Sequence, residues 1–281
     1  MLNTDRLKNI ELIVSDVDGT LLNDEGIVGK HTKYLINELK RSGVMFSFAS
    51  GRLHSALLPV AEELNIRVPI ISLDGTVIKS VNTDEYIHQL FLKKKNVKKA
   101  IELSEQFLVN VALCHTEAIY YTESNVVIPR LLDKYGAQYK QVSSYDDYLS
   151  ETLEIVFAGD NRRVVSFLKD KFSFPFTLGC SISFFRSHTF DDIYYLEVRR
   201  SGSSKGKALI RLANYLNVKE NNTAVIGDWY NDISLFETKA YKVCFKNAIP
   251  ELKRNADYIL DKSNNEEAIA DFLEAVLKEK V

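Results

Sequence analysis

The 281-residue chain is long enough for about two domains, and its 46% hydrophobic and 26% charged residues are typical of a globular protein. Its 36 basic and 38 acidic residues leave a net charge of −2, which argues against a nucleic-acid-binding surface. The three cysteines are widely separated and form no CxxC pair, so the sequence predicts neither a disulfide framework nor a zinc site.

No part of the chain has the composition of an export or membrane segment. The first 14 residues lack the apolar core of a signal peptide, and no stretch approaches ~18 uninterrupted apolar residues. We therefore expect a cytoplasmic protein with no membrane partner and no nucleic-acid partner. The sequence carries no signal for the oligomeric state.

The first part of the chain alternates apolar runs with amphipathic segments. Strands are expected at 10–15, 44–49 and 68–73, and helices at 30–41 and 53–64. One face of the 30–41 helix is expected to consist of Tyr34, Leu35, Ile36 and Leu39. This order predicts βαβ units and a parallel sheet. The same pattern returns near the C-terminus, with helices expected at 207–216, 231–237, 248–254 and 265–279 and strands at 223–227, 241–245 and 257–260.

The middle of the chain differs from both ends. It is richer in tyrosine and phenylalanine and has strand-like segments at 86–92, 117–122, 153–158 and 180–186. We interpret residues 84–190 as a separate α+β domain. It is inserted into an α/β core that consists of residues 1–83 and 191–281.

Two carboxylates follow the first predicted strand. The apolar run LIVS leads into Asp16 and Asp18, at the end of a strand where parallel sheets bind their ligands. Residues two apart point to the same side of an extended chain, so both side chains can face one crevice. Close carboxylates repel unless a proton or a cation lies between them, and Mg²⁺ is commonly held by one or two carboxylates. Alone, the pair would more often merely cap a loop.

Three further segments bring polar groups to the same edge of the predicted sheet. They supply Asp228, Asn231 and Asp232 in VIGDWYND, Ser50, Gly51 and Arg52 in FSFASGR, and Lys205 in SSKGKAL. A hydroxyl with backbone N–H groups can hold a phosphate, and a lysine is a point charge for an anion. Each segment alone is compatible with a solvated surface, but their convergence predicts a functional site.

In this order the motifs resemble those of the haloacid dehalogenase superfamily, and within it the Cof-like phosphatases with a large α/β cap. The matching segments are DVDGT at 16–20, SGR at 50–52, Lys205, and GDWYND at 227–232. The resemblance extends through the whole chain, because the inserted middle also matches. It implies a Rossmann-like parallel-sheet core and a cap domain that determines substrate specificity.

The resemblance also implies a reaction and a role for each motif. A Mg²⁺-dependent phosphatase would hydrolyse a small phosphorylated metabolite, with a sugar phosphate favoured, through an aspartyl-phosphate. Asp16 would be the nucleophile, and Asp18 the general acid and then the base. The expected metal ligands are Asp16, Asp18 through its main-chain carbonyl, Asp228 and Asp232, and the expected phosphate-binding residues are Ser50, Gly51, Lys205 and Asn231.

The sequence departs from the family pattern at two positions that border the expected site. Asp74 precedes Gly75 where the family usually has asparagine, and Lys246 replaces the glycine of a Met-Gly-Asn-Ala segment. These changes predict an atypical substrate preference. Candidate substrate contacts are Arg52, Asp74, Arg186 and His188; for Tyr120 and Tyr121, core packing is the favoured interpretation.

Other functions fit the sequence less well. Gly202–Gly206 matches GxSxG with Ser204 as nucleophile, but that fold needs a later histidine and all five histidines come earlier. A P-loop fails because the spacing is wrong and Ala208 replaces the Ser or Thr that binds Mg²⁺. A phosphomutase and a non-catalytic regulator that binds a phosphorylated ligand remain alternatives on the same fold.

Overall fold

The computed structural model describes residues 4–122, 137–186 and 192–280. The chain forms two units, the first from Met1–Arg52, Leu57–His88 and Ser204–Val281, and the second from Leu53–Ala56 and Gln89–Ser203. The division between the units therefore lies at His88 and Ser203, whereas the sequence interpretation placed it at residues 83 and 190. No helix within the described ranges is long and apolar enough to cross a membrane.

The described residues form fourteen strands and nine α-helices. The strands are β1 (Leu12–Ser15), β2 (Met45–Phe48), β3 (Ile70–Ser72), β4 (Val77–Lys79), β5 (Tyr86–Gln89), β6 (Asn110–Cys114), β7 (Ile119–Tyr121), β8 (Tyr139–Gln141), β9 (Glu154–Gly159), β10 (Cys180–Arg186), β11 (Tyr194–Arg200), β12 (Thr223–Ile226), β13 (Tyr241–Phe245) and β14 (Tyr258–Leu260). The α-helices are α1 (Thr4–Lys8), α2 (Lys30–Arg41), α3 (His54–Glu63), α4 (Lys94–Phe107), α5 (Arg162–Phe172), α6 (Lys205–Tyr215), α7 (Ile233–Phe236), α8 (Pro250–Asn255) and α9 (Ala268–Lys278).

The central sheet of the first unit is parallel and has the order β14-β13-β12-β1-β2. All four residues of β1 are buried, because helices cover both faces of the sheet. A parallel sheet covered on both faces has strands that are apolar along their whole length. Ile13 packs with α2 and α9 on one face, and Leu12 and Val14 pack with α6 and α7 on the other. The expected α/β core with a parallel sheet is confirmed.

The sequence predicted that β3 belongs to the parallel sheet, but β3 is part of a different sheet. It pairs antiparallel with β4 in a separate sheet of order β3-β4-β5, and a single parallel bridge joins Ile71 to Ala49 beyond β2. Leu73 and Asp74 have φ values of 48° and 49°, so the chain turns sharply after β3 and returns as β4. The turn carries Asp74 to the edge where β1 and β12 end.

Helix α2 has the bounds that its periodicity predicts. Thr32, Leu35, Ile36 and Leu39 form its buried side, whereas Tyr34, expected on that side, is 58% exposed. Tyr34 stands one position before Leu35 and therefore about 100° around the helix, on the solvent side.

The second unit contains a six-stranded sheet of order β10-β11-β9-β6-β7-β8, in which only β7 and β8 pair in parallel among the described strands. Helices α4 and α5 cover one face of it around Ile155, Phe157 and Leu196. Strand β11 belongs to this sheet because it pairs with β10 and β9, and the second unit therefore extends past residue 190.

Charged side chains are buried on neighbouring strands of this sheet. Arg199 on β11 stands opposite Glu154 on β9, and its Nε donates to Glu154 Oε2. Its Nη2 also donates to Glu197 Oε2 at 2.6 Å. Burial, together with the Glu154 carboxylate, raises the pKa of the nearby Cys114 thiol.

Candidate active site

The site lies where the neighbouring strands β1 and β12 end. The backbone N–H of Asp16 donates to Ile226 O at 2.9 Å, which continues the parallel pairing by one residue beyond β1. Asp228 follows β12 at the same edge, and Asp232 ends the short 3₁₀ turn after it. One carboxylate oxygen each of Asp16, Asp228 and Asp232 lies within 4.8 Å of the others. The structure thus brings together three of the predicted acids.

Lys205 is fully buried among these acids. Its Nζ donates to Asp16 Oδ1 at 2.5 Å and to Asp232 Oδ1 at 2.7 Å. Lys205 is the first residue of α6, and the side chain of Ser204 caps that helix by accepting from Lys207 N at 3.2 Å. Ser204, the nucleophile of the serine-hydrolase alternative, therefore serves as a helix cap.

Two glycines allow the carboxylates to approach the backbone. A Cβ on Gly227 would lie 2.6 Å from Asp232 Cγ. Gly19 has a φ of +76°, and a Cβ there would lie 2.9 Å from Asp228 Oδ2. The motif DVDGT thus needs glycine for space and for backbone conformation, whereas GDWYND needs it for space.

The electrostatics of the cluster are dominated by burial and by repulsion between acids. Burial raises the pKa of Asp16 well above its ordinary value, Asp232 and Asp228 raise it further, and Lys205 opposes the change. Burial and the neighbouring Asp232 raise the pKa of Asp228 to about 6. Burial alone would lower the pKa of Lys205, but attraction to Asp16 and Asp232 outweighs it and leaves the pKa above its ordinary value.

These donors fit a hard divalent cation. When all three carboxylates are ionised, they leave two negative charges against one ammonium in a largely buried space. Carboxylate oxygens are the ligands that such cations prefer. Asp228 is also oriented, because Thr20 Oγ1 donates to its Oδ1 at 2.9 Å.

Asp18 stands apart from the buried cluster, with its side chain 46% exposed. Both of its oxygens are bound by Arg52: Nε donates to Oδ2 at 2.8 Å, and Nη2 to Oδ1 at 2.5 Å. Such a bidentate pair fixes the plane of the carboxylate. Arg52, expected to contact substrate, therefore contacts the predicted acid–base residue.

Other predicted residues form a connected group beside the cluster. Ser50 is buried, and its Oγ accepts from Arg52 N at 3.1 Å. Its carbonyl accepts from Asp74 N at 3.0 Å. Asp74 lies against Gly51, and its Oδ1 accepts from Asn231 Nδ2 at 3.1 Å.

Two of the remaining predicted residues, Arg186 and Tyr120, belong to the second unit. Arg186 belongs to the second unit, where it forms an ion pair with Asp192 at 3.1 Å. His188 lies outside the described residues. Tyr120 stacks on Tyr148 with ring centroids 4.0 Å apart, in agreement with the packing interpretation. Lys246 is exposed in the segment after β13.

Sequence reasoning missed two features of the site. Thr20 was within the quoted DVDGT motif, but nothing local indicated that its hydroxyl binds Asp228. Trp229 and Tyr230 were within GDWYND, and both are exposed although they stand between the partly buried Asp228 and the buried Asp232. The available signal for the second feature was that Trp229 is the only tryptophan of the chain.

Known proteins are similar to this chain in sequence and in fold. The Bacillus subtilis phosphatase YwpJ is 26% identical, with 95% of this chain and 100% of YwpJ covered. The B. subtilis 5-amino-6-(5-phospho-D-ribitylamino)uracil phosphatase YwtE is 25% identical, with 95% and 98% covered. A haloacid dehalogenase-like hydrolase from Bacteroides thetaiotaomicron superposes with a TM-score of 0.84 at 22% identity, with 95% and 99% covered.

The family profile of the haloacid dehalogenase-like hydrolases matches residues 13–273, which include both halves of the parallel sheet and the whole second unit. The chain therefore belongs to the haloacid dehalogenase-like hydrolase family, in which it is a phosphatase.

Proposed function

We propose that this phosphatase is Mg²⁺-dependent, acts on small phosphorylated metabolites with sugar phosphates favoured, and forms an aspartyl-phosphate on Asp16. The observation that carries the proposal is the buried Asp16 carboxylate, which shares Lys205 with Asp232 and lies beside Asp228. Such a group is a poor nucleophile while protonated. Positive charge beside it favours the ionised form that can attack phosphorus.

In the first half of the reaction, an Asp16 oxygen attacks the phosphorus atom of the monoester. The bond from phosphorus to the ester oxygen breaks, and the electron pair leaves with that oxygen. Asp18 donates a proton to it and releases the alcohol. Asp18 suits this task because its carboxyl is partly exposed and lies three residues beyond the end of β1.

In the second half, Asp18 is ionised and accepts a proton from a water molecule. The water oxygen attacks phosphorus, and the bond between phosphorus and the Asp16 oxygen breaks. Inorganic phosphate leaves, and Asp16 and Asp18 return to their starting protonation states. Arg52 acts as a positioning residue, because its fork holds the Asp18 carboxylate in one plane.

The remaining residues would bind the metal ion and orient the phosphoryl group. Mg²⁺ held by Asp16, Asp228, Asp232 and the Asp18 carbonyl would offset the repulsion between the nucleophile and the phosphate. The Lys205 ammonium has three N–H donors, and two contact Asp16 and Asp232, so the third can reach a phosphoryl oxygen. Ser50, Gly51 and Asn231 would complete the phosphate-binding site.

Substrate specificity is proposed to come from the second unit and from Asp74. YwtE acts, by its name, on a phosphoribityl compound, which supports a small phosphorylated metabolite here. Arg186 and His188 remain candidate contacts in the second unit. We also propose a cytoplasmic location, since all three cysteines are free thiols and a reducing compartment preserves them.

Phosphate release from a panel of phosphorylated metabolites, with Mg²⁺ and with EDTA, tests the proposal. Wild type should release phosphate only with the metal, and Asp16→Asn should not release it. Asp261→Asn is the matched control, because Asp261 is an exposed aspartate of the same unit. A folded wild-type protein that releases no phosphate from any compound would contradict hydrolysis. Phosphate moved within a sugar would then indicate the mutase alternative.

A further inference from the structure

The turn before the last helix contacts the loop that carries Asp18. Residues 263–267, which we call the C-terminal turn, directly precede α9. Residues 16–29, which we call the motif loop, connect β1 to α2 and contain Asp18. Both segments belong to the first unit, although they lie near opposite ends of the chain.

Asn264 is the buried residue of the C-terminal turn that contacts the motif loop. Its Nδ2 donates to Leu22 O at 3.1 Å and to Asp24 Oδ1 at 3.3 Å. Leu22 in turn contacts the catalytic motif, because its backbone N–H donates to Val17 O at 2.9 Å and a β-bridge joins it to Asp18. The side chain of Asn264 therefore binds the residue that is bridged to Asp18.

Two neighbours of Asn264 attach the C-terminal turn to further positions. Asn265 Nδ2 donates to Asp24 Oδ2 at 2.9 Å, and the backbone N–H of Asp24 donates to Asn265 Oδ1 at 2.9 Å. The hydrogen bonds from Asn265 and Asn264 lower the pKa of the Asp24 carboxyl. Glu267 Oε2 accepts from both the backbone N–H and the hydroxyl of Thr32 at 3.0 Å. The C-terminal turn thus holds the middle of the motif loop and, separately, the start of α2.

The position of the motif loop matters because Asp18 must meet the oxygen that leaves. The motif loop contains no helix and no strand, so contacts with neighbouring segments help to fix its backbone. Arg52 orients the Asp18 carboxylate. Asn264 acts instead on the backbone that carries this carboxylate. A misplacement of about 1 Å can cost a reaction ~10²-fold in rate, so such a contact can control catalysis without touching substrate.

We propose that Asn264 is a positioning residue, which holds the Asp18 backbone through Leu22 so that the Asp18 carboxyl reaches the leaving oxygen of the ester. This inference rests on the proposed function, in which Asp18 donates a proton to that oxygen. The nucleophile Asp16 is held by other contacts, with Ile226 O and Lys205. Loss of the Asn264 contact should therefore weaken proton donation more than nucleophilic attack.

The test compares esters that differ in their need for a proton donor. An alkoxide is a strongly basic leaving group and needs protonation, whereas 4-nitrophenolate is weakly basic and leaves without it. The value of kcat/KM reports the first half of the reaction, in which the alcohol leaves, and excludes the later hydrolysis that all esters share. The alkyl probe is glucose 6-phosphate or glycerol 3-phosphate, whichever wild type hydrolyses faster, and the aryl probe is 4-nitrophenyl phosphate.

Asn264→Ala should lower kcat/KM for the alkyl ester by roughly tenfold and that for 4-nitrophenyl phosphate by less than about twofold. Asn264→Asp has nearly the same shape but lacks the N–H donor to Leu22 O, so it should show the same selective loss. A general disturbance of the metal or phosphate site would instead lower both values by the same factor.

Glu267→Ala is the matched control, because it removes hydrogen bonds of the same turn to α2 and leaves the contact with Leu22 in place. It should lower the thermal unfolding temperature, as Asn264→Ala does, and keep the wild-type ratio of the two kcat/KM values. An unchanged ratio in folded Asn264→Ala, or the same change of ratio in Glu267→Ala, would overturn the positioning role and leave the phosphatase intact. If folded wild type hydrolyses no phosphate ester, the proposed function fails and the inference fails with it.

Discussion

Both units bury charged side chains, but they arrange them differently. In the first unit, Asp16, Asp228, Asp232 and Lys205 come from segments that are far apart in the chain and meet where parallel strands end. In the second unit, Glu154 and Arg199 face each other across adjacent antiparallel strands. We call these two groups the acid cluster and the cross-strand pair.

Their charge balance separates them further. The acid cluster has three carboxylates for one ammonium, so it buries charge that its own residues do not neutralise. The cross-strand pair is neutral, and the additional Glu197 keeps 22% of its side chain exposed to solvent. Buried charges are costly unless they are paired. Unbalanced buried charge therefore indicates a ligand, whereas a balanced pair across a sheet indicates packing.

The strongest test of this contrast replaces one carboxylate in each unit. Asp16→Asn should lower phosphate release by at least roughly 10³-fold, because it removes the proposed nucleophile. Glu154→Gln should leave turnover within a few-fold of wild type, because Glu154 belongs to the second unit and the acid cluster belongs to the first. Rates of phosphate release and thermal unfolding of both variants measure the difference. Retained activity in Asp16→Asn would remove the nucleophile assignment.

Removing the buried cation of each unit, Lys205 or Arg199, should lower the stability of the protein in both cases. Only the loss of Lys205 should also lower phosphatase activity. Lys205→Met and Arg199→Met each remove a cation that pairs with buried carboxylates, so each should lower the free energy of unfolding by roughly 3–5 kcal/mol. Only Lys205→Met should also abolish phosphate release. Urea unfolding followed by circular dichroism gives the stabilities. Added Mg²⁺ should restore part of the loss in Lys205→Met alone, and equal recovery in both variants would contradict the contrast.

The acid cluster should make stability depend on pH in the absence of metal. The pKa of Asp228 rises from 3.8 to about 6 in the folded protein, so folding favours its protonated form. The stability that this group contributes is fully present below pH 3.8 and is lost as pH rises through about 6. In EDTA, the free energy of unfolding of wild type should fall by up to about 3 kcal/mol more than that of Asp228→Asn between pH 4 and 7.

Mg²⁺ should reduce this pH-dependent loss, because a cation favours the ionised carboxylate. Unfolding titrations at several pH values, with EDTA and with Mg²⁺, measure it. Asp261→Asn serves as the control for a general effect of removing one acid. Parallel pH curves for wild type and Asp228→Asn would contradict the prediction.

The smallest expected effect is at Asp74, beside the acid cluster. Asp74→Asn restores the residue expected for the family, keeps an acceptor for Asn231 and removes one negative charge. It should change the ranking of substrates by a few-fold in kcat/KM, because like charge repels the phosphate. The Mg²⁺ concentration for half-maximal activity should change less. An unchanged ranking would indicate that this departure has no effect on specificity.

The acid cluster could be predicted from the sequence because its chemistry requires particular residues at particular strand ends. An apolar run that ends in Asp16 and a second that ends in Asp228 are visible without any knowledge of pairing. The cross-strand pair was not visible, because 45 residues separate Glu154 from Arg199 and only strand register brings them together. The contact of Thr20 with Asp228 was hidden for the same reason.

Local signals also failed at three features of the fold. The departure of β3 from the parallel sheet depends on positive φ values at Leu73 and Asp74. Leucine seldom adopts a positive φ, so the residues after β3 did not predict this turn. The membership of β11 in the second unit depends on its pairing with β9 and β10, which composition does not reveal. Tyr34 was assigned to the wrong side of α2 because apolar character was given more weight than angle around the helix.

Strand β1 pairs with β2 on one side and β12 on the other, and these partners differ greatly in distance along the chain. β2 begins at residue 45, whereas β12 begins at residue 223, after the entire second unit. At ~5–20 residues per second, a ribosome needs roughly 10–40 s to synthesise the intervening chain. For that time a fully buried strand of the finished fold has one unpaired, apolar edge, a natural binding site for a chaperone during synthesis.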